Sequence, residues 1–105
     1  MTYRMRVYQA VPENVGAFNR FFQEHLLPVQ LRHGAELIGR WVTDDSRVVA
    51  IWKYENTAHY ERVQAAVRTD PDSQRAQKVR ASLPKLFSNK EEWLMSSTLE
   101  SSDAG

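Results

Sequence analysis

Arg6 and Tyr8 stand two residues apart in Arg4-Met5-Arg6-Val7-Tyr8, a stretch that alternates polar or aromatic with apolar side chains. Alternate residues of a strand share a face, so this guanidinium and this phenol point the same way. Together they can clamp a carboxylate or steady an enolate, with Arg6 opposing the negative charge and Tyr8 donating a hydrogen bond. A structural ion pair beside a packed phenol is the plainer role, because a buried arginine usually has a carboxylate partner. Three histidines offer an imidazole able to take a proton near neutral pH. His25 lies off the main apolar stripe of its segment and one turn before Pro28, which suits the mouth of a cavity. His33 adjoins Gly34 and suits a helix end. His59 follows Glu55 by one helical turn and is placed to pair with it.

A second group is aromatic. Val48-Val49-Ala50-Ile51-Trp52-Lys53-Tyr54 alternates as a strand with two apolar faces. Val49 and Ile51 are expected under helices. Val48, Ala50, Trp52 and Tyr54, with Tyr8 of the first strand, are expected on the side the helices leave bare. Trp52 and Tyr54 would there form a stacking wall for a planar or aromatic ligand, or the core of a dimer, and the two roles are compatible. A bare face of that kind demands burial, and a two-fold pairing of two copies is the economical way to supply it.

Several chemistries are excluded or unsupported. The chain has no cysteine, which removes disulfides, thiolate catalysis and cysteine-held metal clusters. Its formal net charge of +1 provides no strong attraction to nucleic acid or an anionic membrane. Arg75, Lys78, Arg80, Lys85 and Lys90 are interrupted by apolar residues and read as a solvated face rather than a nucleic-acid surface. No histidine pair has metal-ligand spacing, and neither a Gly-rich phosphate loop nor a nucleophile elbow is present. The amino terminus alternates like a strand and lacks the apolar core of a signal peptide, and no apolar run approaches membrane-spanning length. Cytoplasmic location is the default expectation.

The elements that must position these residues follow from periodicity. The pattern predicts a strand over 2–9 and a helix over 13–33, where Val15, Phe18, Phe22, Leu26 and Val29 recur at spacings of three and four. Pro28 should kink or break that helix, and Gly34 should end it. Strands over 35–43 and 47–54 form an antiparallel hairpin across Asp44-Asp45-Ser46. Asn56 caps a helix over 57–68. Asp70-Pro71-Asp72 starts another that ends before Pro84. A last strand covers 93–99, and residues 100–105 form a polar, disordered tail. The 105 residues thus make one domain over 1–99. Its class is α+β: a ferredoxin-like β-α-β-β-α-α-β subunit with helices on one face of a four-stranded antiparallel sheet.

These segments carry a resemblance. Arg4-Met5-Arg6-Val7-Tyr8, Leu31-Arg32-His33-Gly34, Leu37-Ile38-Gly39-Arg40-Trp41, Val48 through Glu55 and Ala58-His59-Tyr60-Glu61 resemble, in order and spacing, the NIPSNAP family within the dimeric α/β-barrel superfamily. The likeness runs over about 2–94. It implies a dimer whose two sheets enclose a barrel, with a pocket in each subunit, but no defined reaction. Related superfamily members include cofactor-free monooxygenases acting on aromatic polyketides, isomerases and cyclases of small cyclic substrates, and haem-binding proteins. The family pattern often has histidine where this chain has Ala50, arginine where it has Tyr60 and an aromatic where it has Arg40, so its pocket chemistry should differ from that of relatives.

The expectation is therefore a homodimeric NIPSNAP-like protein that binds a small planar or aromatic molecule in a barrel pocket and runs cofactor-free monooxygenase, cyclase or isomerase chemistry. Arg6, Tyr8 and His25 are the candidate catalytic residues, and Trp41, Ala50, Trp52 and Tyr54 the candidate ligand-binding ones. No metal or cofactor is implied, and neither nucleic acid nor membrane is a partner. A non-catalytic homodimeric interaction module is the alternative, and haem binding or degradation is the third reading. Gly39 and Trp41 oppose Arg40 on their strand, and which of the two faces lines the cavity is left open.

Overall fold

The computed structural model describes residues 1–99; the tail expected over 100–105 lies outside them. Strand β1 (Thr2–Ala10) leads through a 3-10 turn (Pro12–Asn14) into α1 (Val15–Phe21). A π-helical turn (Phe22–Leu26) then joins α1 to α2 (Leu27–Arg32) without a loop. The interruption expected at Pro28 takes this form. Proline has no N–H for the carbonyl of Glu24, and the chain absorbs the missing bond upstream, where the Leu27 N–H reaches back to the Phe22 carbonyl. Gly34 ends α2 with φ at 105°, a conformation glycine adopts without penalty.

Strands β2 (Glu36–Val42) and β3 (Arg47–Tyr54) form the expected hairpin. Asn56 caps α3 (Thr57–Thr69), its side chain accepting from the His59 N–H at 2.7 Å. Asp70 caps α4 (Pro71–Ala81) and accepts from the Asp72 N–H at 2.8 Å. The last strand, β4 (Phe87–Met95), begins well before the expected 93 and ends short of the expected 99. Ser88 through Glu92 are polar and show no apolar alternation, but β4 is the sheet's edge, where charged side chains are favoured.

The sheet order is β2-β3-β1-β4, antiparallel throughout. Its helix-side core has two parts. One gathers Ala10, Phe18, Phe21, Val48, Ala76 and Leu86, and the other Phe22, Ala35, Ala50, Trp52, Tyr54 and Val63. Val48, Ala50, Trp52 and Tyr54 therefore face the helices, and Val49 and Ile51 face away. This reverses the side expected from the sequence. Tyr8 moves with them, edge-on to Phe18 at 5.2 Å and to Phe87 at 4.9 Å. A strand apolar on both sides carries no local mark of which side meets the helices. The larger rings went inward because they fill the space against the phenylalanines of α1 and the π-turn.

A bulge at Ile38 settles the orientation of β2. Leu37 pairs with Trp52 and Arg40 with Ala50, so three residues of β2 span what two span on β3. Arg40 consequently faces the helices, and Gly39 and Trp41 the opposite side.

Candidate functional site

On the helix side, the strand register sets Arg40, Ala50, Arg6 and Glu92 in one row across all four strands. Neighbouring strands lie about 4.8 Å apart, so the backbones of Arg40 and Arg6 are about 10 Å apart, with only the methyl of Ala50 between them. Trp52 occupies β3 at the next helix-facing position. Phe18 of α1, Phe22 and His25 of the π-turn, and Val29 of α2 close over this floor. They enclose a cavity of about 80 Å³. An adjoining cavity of about 140 Å³ shares Arg6, Tyr8 and Phe18 with it and adds Arg80 and Lys90.

The cavity is rich in positive charge. Arg4 precedes Arg6 by one alternation, and its side chain is only 7% exposed. Its Nε donates to Glu92 Oε1 at 2.7 Å, and the Tyr60 hydroxyl donates to the same oxygen at 3.1 Å. Arg6 Nε is 3.8 Å from Glu92 Oε2, too far for a hydrogen bond. Arg40 donates from Nη1 to Asn19 Oδ1 at 2.6 Å and lies over the rings of Phe18 and Phe22 at 4.9 and 4.4 Å. Among the described residues no carboxylate pairs with it. Each of the three arginines keeps one buried donor without a hydrogen-bond partner: Nη1 of Arg4, Nε of Arg6 and Nη2 of Arg40.

Local fields follow from this arrangement. Burial pushes the Tyr8 phenol above its ordinary value, more than the Arg6 and Arg4 charges pull it down, so it remains a protonated donor at neutral pH. Burial presses the Arg40 guanidinium downward. Burial alone would raise the Glu92 carboxyl, but the Arg4 hydrogen bond and the Arg4 and Arg6 charges together hold it below its ordinary value. Lys90 is lowered by burial and then by Arg6 and Arg80.

Of the residues singled out from the sequence, Arg6, Tyr8, His25, Ala50 and Trp52 line the one cavity. Trp41 does not; it lies on the opposite face, 52% exposed, with its indole across Gly39, where an added Cβ would strike the ring. Tyr54 is packed away from the cavity against Tyr60 and His59, and its hydroxyl accepts from Gln64 at 3.3 Å. His33 meets Asp70 at 2.7 Å, joining the end of α2 to the start of α4. His59 Nδ1 accepts from the Glu55 backbone N–H at 3.1 Å rather than pairing with its carboxylate. Sequence reasoning missed Arg4, Arg40, Phe18, Phe22 and Glu92 as site residues. Arg4 was legible from its two-residue spacing to Arg6, whereas Arg40 needed the bulge and Glu92 needed the true extent of β4.

The architecture defines a class: an α+β ferredoxin-like domain with a pocket between one sheet face and its helices. The chain belongs to the NIPSNAP family, whose model matches residues 3–97. Solved structures share its fold. An uncharacterized NIPSNAP domain protein from Burkholderia xenovorans is 22% identical, with a TM-score of 0.81 covering 94% of this chain and 96% of that one. A protein from Agrobacterium tumefaciens is 18% identical, with a TM-score of 0.82 covering 96% and 98%. A putative antibiotic biosynthesis monooxygenase from Nitrosomonas europaea shares the fold at a TM-score of 0.65 and 11% identity, covering 93% and 99%. No curated protein sequence matches significantly. Among the described residues no helix is long and apolar enough to cross a membrane.

Proposed function

We propose that the protein binds a small planar organic molecule in the cavity between its sheet and helices, and that Arg6, Tyr8 and His25 act on it there. The observation that carries this reading is the convergence of those three residues on a cavity with aromatic walls at Phe18, Phe22 and Trp52. Removal of a proton α to a carbonyl fits the three groups. His25, partly exposed at the cavity wall, accepts the proton, while Arg6 and the Tyr8 hydroxyl hold the enolate oxygen. An enolate is a shared starting point for cofactor-free oxygenation, cyclisation and isomerisation. The fold likeness to a putative antibiotic biosynthesis monooxygenase is compatible with the first of these.

A homodimer is the second part of the proposal. The sheet side away from the helices carries Met5, Val7, Trp41, Val49, Ile51 and Trp93. The subunit is a slab of 47 × 34 × 17 Å, thin enough that this chain covers only one side of its sheet. Glu36, Lys53, Arg47 and Glu91 rim the apolar centre with both signs of charge, which a two-fold axis can make self-complementary. A purely structural module receives less support, because the helix-side cleft is not filled solid. Haem receives less support, because drug-sized ligands already require about 300 Å³ or more and the cavity where Arg6, Tyr8 and His25 meet is about 80 Å³.

Native mass spectrometry of freshly purified protein tests the reading. A dimer mass carrying a co-purified small molecule, lost in Arg6→Ala while the dimer persists, is the expected result. Loss of folding in Arg6→Ala, with no adduct on the wild type, would leave Arg6 a structural role only.

A further inference from the structure

Glu92 is the one carboxylate lining up with the arginine row, and it is already engaged by Arg4 and Tyr60. Three guanidiniums against one carboxylate leave the cavity with two uncompensated positive charges. Each guanidinium also keeps a buried N–H donor that no atom of the described residues satisfies. Unpaired buried donors and charges are costly, and a natural protein retains them where something else completes them. The two arginines that bracket Ala50 are well placed for this. Among the described residues Arg40 has no carboxylate partner, and Arg6 lies beyond hydrogen-bond reach of Glu92. Arg80 and Lys90 extend the positive lining into the adjoining cavity.

We propose that the ligand of this cavity is a small unsaturated organic carboxylate. Its head group lies over the methyl of Ala50 between Arg6 and Arg40, and its planar body lies against Phe22 and Trp52. The proposal rests on the small-molecule reading above and names the ligand class. Guanidinium is the natural complement of a planar carboxylate, to which it can donate two parallel hydrogen bonds. The phenyl and indole walls suit a flat apolar body and leave a tetrahedral, strongly hydrated phosphate poorly solvated. Size sets a limit: about 80 Å³ is roughly half of the ~150 Å³ cavity that accepts benzene. The enclosed part of the ligand is therefore a fragment of a few carbons, and anything larger must extend toward Arg80 and Lys90.

Calorimetric titration of the full chain at low salt, with acids and their neutral amides, tests this. The probes are acetate and acetamide, crotonate and crotonamide, benzoate and benzamide, and inorganic phosphate. Crotonate should bind at least tenfold more tightly than crotonamide. That preference should vanish in Arg40→Met, which keeps the apolar bulk and removes the charge. Ala50→Leu, which fills the floor and removes no charge, should abolish binding of both. Amides binding as well as their acids would overturn the carboxylate assignment and leave the small-molecule pocket standing. Phosphate binding more tightly than every carboxylate would also overturn it. Binding by neither member of any pair would remove the pocket reading and the inference together. Carboxylate binding unchanged in both variants would move the site elsewhere and refute the inference.

Discussion

Arg40 carries a positive charge into a wall of two phenyl rings, with no carboxylate of the described residues beside it. Its hydrogen bond to Asn19 and its contacts with the rings offset only part of the desolvation cost. Arg40→Met should therefore raise the stability of the unliganded protein by about 1 kcal/mol, a rise in melting temperature of about 4–8 °C for a domain of this size. A clear fall would mean that the guanidinium is structural. Glu92 makes the opposite case. Its folded-state pKa is held below the ordinary 4.5, chiefly by Arg4 acting against burial. A lowered pKa contributes stability above the ordinary value that is lost as pH falls through the lowered one. Glu92→Gln should thus cost about 1 kcal/mol at neutral pH, the screening of a partly exposed group included. In melting curves taken at successive pH values, its deficit should shrink as the pH drops below 4.5. The pairing of Arg6 with Tyr8 was legible because strand alternation is strict. The placement of Arg40 was not, because a single extra residue at Ile38 reverses the facing of every residue after it.

At the scale of elements, two caps fix where helices begin. Asn56 holds the first turn of α3 through the His59 N–H, and α3 in turn carries Tyr60 to Glu92. Asn56→Ala should lower stability by about 1 kcal/mol, measured by urea denaturation with the m-value unchanged. An unchanged midpoint would show that tertiary packing alone sets the start of α3. The helix stripe of Val15, Phe18, Phe22, Leu26 and Val29 was readable from spacing, as was the disturbance at Pro28. The π-turn that brings Phe22 and His25 onto the cavity was not, since proline announces a break but not how the chain absorbs it. The facing of β3 was unreadable for a different reason. Both of its sides are apolar, so only the volume available beneath the helices decides that Trp52 and Tyr54 turn inward. β4 was placed too late because an edge strand and a loop share the same polar composition.

Across the whole molecule, the two sheet faces differ in chemistry. The helix face holds the charged cavity, and the bare face holds the apolar platform on which Trp41 lies across Gly39. The expectation of an uncovered apolar face holds with different residues from those first assigned to it. If a second copy covers that platform, Trp41→Glu should weaken self-association at least tenfold, about 1.4 kcal/mol, in sedimentation velocity, and leave the circular dichroism spectrum unchanged. A wild-type protein that sediments as a monomer at every concentration would remove the dimer. The cavity's standing as the binding site is tested most directly by side-chain 15N–1H spectra that resolve the arginine Nε–H groups during addition of crotonate. The signals of Arg4, Arg6 and Arg40 should move together and saturate. Movement confined to exposed arginines such as Arg20, Arg62 and Arg68, with those three unmoved, would contradict it.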